Sequence, residues 1–341
     1  MNEAATVETS IGPLTFLTEE VGGYVWHSVS TDFPADLLWP SLLMTLILAT
    51  ALYAYRNGRG SRGADGRERP ASYLQFLLPR DIYTHASARV DIGIWLLGRL
   101  LRPIWIVALL ATVGPATEQW VIGALESVFG TTPALQSNIA WMLLYSLVAL
   151  LLYDFVFFLT HLSMHKFPSL WALHKVHHSA EVLTPLTRHR EHFLAAPIWA
   201  AGSSFSYAVA AGIFAYLFAG DIVEATLMNI GFFTLLFGFT GTFRHYHIQF
   251  RYPRWLEKWL QSPAMHHVHH SYLPQHRDTN LAAITSIYDR LFGTLYLPET
   301  DEYTPWGLEE AEQAQTRSFW QNTLAPFMDW RNLLRGSSRD V

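Results

Sequence analysis

The chain has 341 residues, half of them hydrophobic, and its 23 Lys and Arg against 28 Asp and Glu leave a net charge of -5. This mildly acidic balance speaks against a nucleic-acid partner. The complete lack of cysteine excludes thiolate metal sites, iron–sulfur clusters and disulfides within the chain.

Taken in chain order, residues 1–36 carry acids and neither Lys nor Arg. They lack the basic start and short apolar core of a cleaved signal peptide, and the missing Lys and Arg make an extracytoplasmic segment the expectation. Residues 37–55 are 19 uncharged residues, the length of a first transmembrane helix. Residues 56–91, opening Arg56-Asn-Gly-Arg-Gly-Ser-Arg-Gly, read as an Arg/Gly-rich cytoplasmic linker, whose run at 56–72 has a composition that cannot bury a core. Residues 92–113 are apolar but contain Arg99 and Arg102, which sets the expected start of a second span near Pro103. Residues 138–160 are apolar except for Asp154. Residues 193–220 and 225–243 hold 28 and 19 uncharged residues and read as a hairpin turning at Gly220-Asp221. Residues 301–341 are expected to form peripheral helices whose aromatics pack on the core or sit at the interface. Several apolar stretches of this length in one chain point to an all-α integral membrane helical bundle with four or five membrane-embedded helices.

Basic residues orient the bundle. Lys and Arg are missing from residues 1–55 and 113–141, and they cluster at 56–80, at 166–190 and from Arg244 onward. An extracytoplasmic amino terminus with a cytoplasmic 56–91 segment satisfies every stretch of a multi-pass chain.

Fourteen of the sixteen histidines lie between His161 and His276. Three groups stand out: His161-Leu-Ser-Met-His165, His174-Lys-Val-His177-His178 and His266-His267-Val-His269-His270. On a helix, spacings of three and four put side chains on one face, so each group is expected to aim its nitrogens at one point. Neutral imidazole is the commonest protein ligand for transition metals. The number exceeds what one zinc uses and suits two metals of higher coordination. Lone histidines such as His27 and His85 are more simply core or surface residues. The charge pattern puts all three groups on the cytoplasmic side, in a helical cap at the ends of the spans.

The ordered set resembles the fatty acid hydroxylase/sterol desaturase superfamily of integral-membrane di-iron oxidoreductases. The likeness runs from about Asp154 to Leu297, inside an expected catalytic membrane domain at 92–300. It rests on Asp154 seven residues before His161-x3-His165, on His174-x2-His177-His178, on Thr187-x2-Arg190-x-His192, and on His266-His267-Val-His269-His270. Asp278-Thr-Asn280 and Ile287-Tyr-Asp289-Arg-Leu-Phe292-Gly293 resemble the segment that closes the domain. The chain departs from the pattern at Phe243-Arg-His245-Tyr-His247, where the second histidine replaces a common Asn, and at Phe193-Leu194, where Pro-Glu often stands.

The resemblance implies two iron ions held by His161, His165, His174, His177, His178, His245, His266, His269 and His270, with dioxygen as co-substrate. His192 and His247 are further candidates as ligands or supports, whereas His189, His267 and His276 match variable positions. Two helical turns separate Asp154 from His161, so Asp154 is expected to accept an imidazole N–H. Asn280 is expected to be a similar support, and Asp289 either a support or a helix cap.

The expected activity is O2-dependent hydroxylation or desaturation of a C–H bond in a membrane lipid. Phe232, Phe233, Phe237 and Phe239 are candidates to line its path. The chain shows no dinucleotide or flavin fingerprint, so electrons are expected from a separate donor of cytochrome b5-like or ferredoxin type. Two other classes stay open: a zinc-dependent membrane hydrolase, which would want His-Glu-x-x-His where the chain has His161-Leu-Ser-Met-His165, and a metal transporter, which would want ionisable residues deep in several spans.

Overall fold

Pro168 is the hinge of the architecture. A proline disfavours helical geometry in the residue before it, and Phe167 is accordingly extended between a helix α5 at Ile139–Lys166 and a helix α6 at Pro168–His178. The break folds α6 back against the end of α5. The computed structural model describes residues 41–58, 72–219, 243–299 and 304–336. The expected extracytoplasmic segment at 1–36, most of the Arg/Gly-rich run, the apolar stretch at 225–242 with its four phenylalanines, and residues 337–341 lie outside these.

Among the described residues the chain is helical, with two isolated bridges and no strand. Before α5 come α1 Ser41–Gly58, α2 Tyr73–Leu77, α3 Arg80–Tyr83 and the 44-residue α4 Ala86–Phe129. After α6 come α7 Ala196–Phe218, α8 Arg254–Glu257, α9 Pro263–His269, α10 Ile287–Phe292, α11 Glu310–Gln313 and α12 Phe319–Leu334. Two described helices, α5 and α7, are long and apolar enough to cross a membrane, while the apolar part of α1 is shorter.

The long helices α4, α5 and α7 pack side by side. Pairs of aromatic rings join α5 to α7 along their length: Trp141 with Phe218, Tyr145 with Phe214, Tyr153 with Tyr207 and Phe157 with Trp199, at centroid separations of 4.8–5.5 Å. Their order makes α5 and α7 antiparallel. Small residues let α4 approach α7, with Gly114 facing Ser204 and Gly212 facing Val121, so these two run in the same direction. The start of α4, the end of α5 and the start of α7 therefore meet at one end of the array, and every clustered histidine lies there.

The second apolar segment, expected to span from near Pro103, belongs to a single helix from Ala86 to Phe129. Arg102 stays on the polar side of the array by donating to the carbonyls of His189 and Glu191 at 3.1 and 3.3 Å. The expected linker ends early, because residues 72–91 fold. Phe76 is buried, its carbonyl accepts from His247, and the Leu77 carbonyl accepts from the Tyr246 hydroxyl. At the other end of the chain, α12 opens with a Ser318–Gln321 capping box and lies on α6, held by a Lys175–Asp329 ion pair and a bond from Trp330 to the Ser169 carbonyl.

The α4–α7 contact is testable. A Cβ at Gly212 would stand 2.8 Å from the Val121 Cβ and 3.0 Å from the Glu118 carbonyl, whereas one at Gly123 meets nothing. Gly212→Val is expected to lower unfolding stability in detergent by about 1–3 kcal/mol, and Gly123→Ala to leave it equal or raise it by up to about 1 kcal/mol.

Candidate metal centre

The histidines form two adjoining groups. His161, His165, His174, His178 and His269 make the first, and His177, His245, His266 and His270 the second; within each, one nitrogen per ring lies within 4.8 Å of the others. The sequence spacing suggested that each motif would aim at one point. Instead α6 and α9 divide their histidines. On an α-helix, residues four apart differ by about 40° around the axis and adjacent residues by about 100°. His174 and His178 therefore share a face and serve the first group, while His177 turns to the second. At the end of α9 the arrangement is reversed: His266 and His270 serve the second group and His269 the first. The groups touch through His178 and His270, whose rings stack at 4.8 Å.

Outer bonds hold the rings. His161 Nδ1 donates to the Leu281 carbonyl at 2.7 Å, His269 Nδ1 to the Thr279 carbonyl at 2.9 Å, and His177 Nδ1 to the Arg190 carbonyl at 3.2 Å. A carbonyl can only accept, so each of these rings is protonated at Nδ1 and turns a bare Nε2 lone pair inward. His165 Nδ1 lies 3.1 Å from Asp278 Oδ1, whose other oxygen takes Lys166 at 2.5 Å. The His165 hydrogen bond is the largest of the effects that hold the Asp278 carboxyl down to about 2.

Inside, the nitrogens crowd. Nε2–Nε2 separations are 2.9 Å for His161–His174, 3.1 Å for His177–His245, 2.9 Å for His245–His266 and 3.1 Å for His266–His270. His165, His178 and His269 each bury an Nε2 that has no hydrogen-bond partner among the described residues. Burial, reinforced by the neighbouring imidazoles, holds His174, His178, His245, His266, His269 and His270 well below their usual range, and burial brings His177 down to about 4. Bare Nε2 atoms of His161, His177 and His269, cut off from water, need a donor or a cation, and a cation among them would satisfy all three. The donor set of five and four imidazoles fits a pair of late first-row transition metals.

Asp154 acts differently from its expected role. It does not accept from His161. Its Oδ1 takes the amides of Ala283 and Ile284, and its Oδ2 takes the amide and hydroxyl of Thr285, at 2.6–2.8 Å. Asp289 grips the preceding amides, those of Leu281 and Ala282, together with Gln261 and Thr294. Two buried carboxylates thus pin residues 281–285 and so present the Leu281 carbonyl to His161. Asn280 likewise touches no imidazole. From a left-handed backbone, φ 55°, it donates to the Met265 carbonyl and accepts from the Tyr296 amide, tying this loop to α9.

His192 and His247 belong to neither group. His192 spends both ring nitrogens elsewhere, on the Thr323 carbonyl and the Leu194 amide, and His247 turns to the Phe76 carbonyl. His267 is fully buried and reaches the Phe243 carbonyl, and His276 is buried against Tyr296. Sequence reasoning missed Asp278 as the partner of His165, although its place beside Asn280 was a signal. It also missed the three carbonyls, which no residue type reveals. Beside His161, a narrow crevice of about 10 Å³ between α5 and α7 is lined by Tyr153, Phe157, Thr160, Trp199, Gly202 and Ser203. The Phe157 ring at its wall touches His161 edge-on at 5.5 Å.

Residues 146–294 match the fatty acid hydroxylase family. The chain is 30% identical to an alkylglycerol monooxygenase of Xenopus tropicalis over 150 residues, 44% of this chain and 30% of that protein. It is 25% identical to the ornithine lipid hydroxylase OlsE of Rhizobium tropici over 170 residues, 49% of this chain and 47% of that one. The chain thus spans less than half the length of either relative. No solved structure matches.

Asp154→Asn replaces one acceptor oxygen with an amide group that faces donors. It is expected to destabilise the fold by about 1–3 kcal/mol, measured by denaturant unfolding. Asp278→Asn, at a half-buried edge, is expected to cost less.

Proposed function

We propose that this chain, whose residues 146–294 match the fatty acid hydroxylase family, is an O2-dependent, di-iron membrane oxidoreductase that hydroxylates a C–H bond of a lipid. The observation that carries this reading is the pair of adjoining, all-imidazole groups, five and four strong. Two irons, when bound, supply the reduction of dioxygen by which one oxygen atom enters the C–H bond. The balance takes one O2, two electrons and two protons to one hydroxyl group and one water. Both named relatives are hydroxylating enzymes of lipid-like molecules, which favours hydroxylation over desaturation.

The protein's own part is positioning. His161, His165, His174, His178 and His269 hold one ion, and His177, His245, His266 and His270 the other. The carbonyls of Leu281, Thr279 and Arg190 and the carboxylate of Asp278 fix ring orientation, the role outer partners play at metal sites generally. Burial excludes water from the reacting region.

An amphiphile with its head at the membrane surface would bring its tail to the first group from the apolar side of the α5–α7 pair, where Phe157 and Trp199 lie against His161. The charge pattern supports a cytoplasmic placement of the histidines in a multi-pass chain, with α5 and α7 among its spans. Electrons come from a separate donor, of cytochrome b5-like or ferredoxin type, docking on that side.

Metal analysis of the purified chain is expected to find about two irons, and one zinc in their place would overturn the reading. His269→Ala and His177→Ala are each expected to abolish lipid hydroxylation and to lower bound iron, the first by emptying the five-histidine group and the second the four-histidine group. His267→Gln, which removes no ligand, is expected to keep both irons.

A further inference from the structure

The helix that bears His174, His177 and His178 ends against a buried ion pair that belongs to neither histidine group. Arg190 is 1% exposed and Asp91 fully buried, with Arg190 Nη1 2.9 Å from Asp91 Oδ1. Every nitrogen of the guanidinium is used. Nη1 also donates to the carbonyl and hydroxyl of Ser87, both at 3.0 Å. Nε donates to the Val176 carbonyl at 3.0 Å and to Ser179 Oγ at 3.1 Å, and Nη2 to the Ser179 carbonyl and hydroxyl at 3.2 and 2.9 Å. The second oxygen of Asp91 accepts from the hydroxyls of Thr187 and Thr184, closing the loop that leads to Arg190.

We propose that Asp91 and Arg190 are positioning residues for His177, and through it for the metal of the four-histidine group; this rests on the di-iron reading above. Val176 and Ser179 flank His177 in the chain, so the guanidinium fork fixes the backbone on both sides of it. The carbonyl of the same Arg190 then receives the His177 Nδ1–H. One residue therefore sets both where the imidazole starts and which way it turns. A cation at the carbonyl end of a helix is also favoured by the helix dipole.

His177 is the one ligand that α6 gives to the second group, whereas His174 and His178 face the first. Slackening the clamp should act on one metal and spare the other. Asp91 and Ser87 lie on α4, outside residues 146–294, so the site draws a working part from a helix that the family match does not include.

Anaerobic ferrous-iron titration of the full chain in detergent tests this, read as bound iron per chain and as the Mössbauer spectrum. The wild-type chain is expected to take up two irons. In Asp91→Asn one site is expected to weaken about 10- to 100-fold, the loss usual for an outer partner of a ligand, with one spectral component lost and the other site unchanged. Arg190→Lys, which keeps the charge without the fork, is expected to give the same selective loss. Ser87→Ala removes one hydroxyl, which accepts from Arg190 Nη1 and the Glu181 amide, and leaves the Asp91–Arg190 pair intact, so the same site should shift by a smaller factor. This variant decides the matter if the other two do not fold. Phe214→Leu, in the aromatic contact between α5 and α7, sets the comparison: its unfolding temperature falls while both affinities and the spectrum stay as in the wild type. Two unchanged affinities in the folded clamp variants, or equal weakening of both sites, overturn the positioning role and leave the di-iron reading standing. A wild-type chain that binds fewer than two irons overturns that reading and this inference with it.

Discussion

Nine imidazoles are packed here in a region closed to water, and six of them bring Nε2 atoms to 2.9–3.1 Å from one another. Burial keeps the rings from taking protons, the easy escape for such a cluster. The fold must therefore hold the crowded neutral rings in place. Much else in the structure serves that need: the α5–α6 hinge at Pro168, the loop that closes over α9, and the helices α4 and α12 that brace α6.

The bracing is largely done by main-chain carbonyls. Three of the nine rings are steered by carbonyl oxygens, and the most conspicuous acids, Asp154 and Asp289, act at one remove by holding amides of the loop that bears one of them. A carboxylate saturated by N–H donors is a rigid anchor, and rigidity passed along four residues of loop is enough to aim an imidazole. Asp278 and Asn280, both in left-handed backbone, bend that loop so that Thr279 and Leu281 present successive carbonyls to His269 and His161. Asn and Asp tolerate this conformation better than other side chains.

How much of this was legible in the sequence depends on the range of the interaction. Helical spacing within each histidine motif is local, and from it the helices of α5, α6 and α9 could be read. The division of α6 and α9 between two groups is not local. It depends on where His245 and the end of α5 arrive, and spacing carries no trace of that. The seven-residue step from Asp154 to His161 gave the right face but the wrong partner, since loop amides from more than a hundred positions away reach the carboxylate first. Residues 72–91 hold α2, α3 and the start of α4, which the Gly/Arg composition of the run before them does not announce. The contribution of Asp91 to the site rests wholly on tertiary packing.

The reciprocal sharing of histidines between α6 and α9 has a consequence for engineering. Neither half of the centre is a portable module, since each of these segments feeds both nests. Grafting one motif onto another scaffold would carry over fragments of two cradles and complete neither. A one-residue insertion ahead of His174 or His266 would rotate that helix and scramble both memberships at once. The smallest heritable unit is the interlocked set, which any ancestral shuffling would have had to move whole.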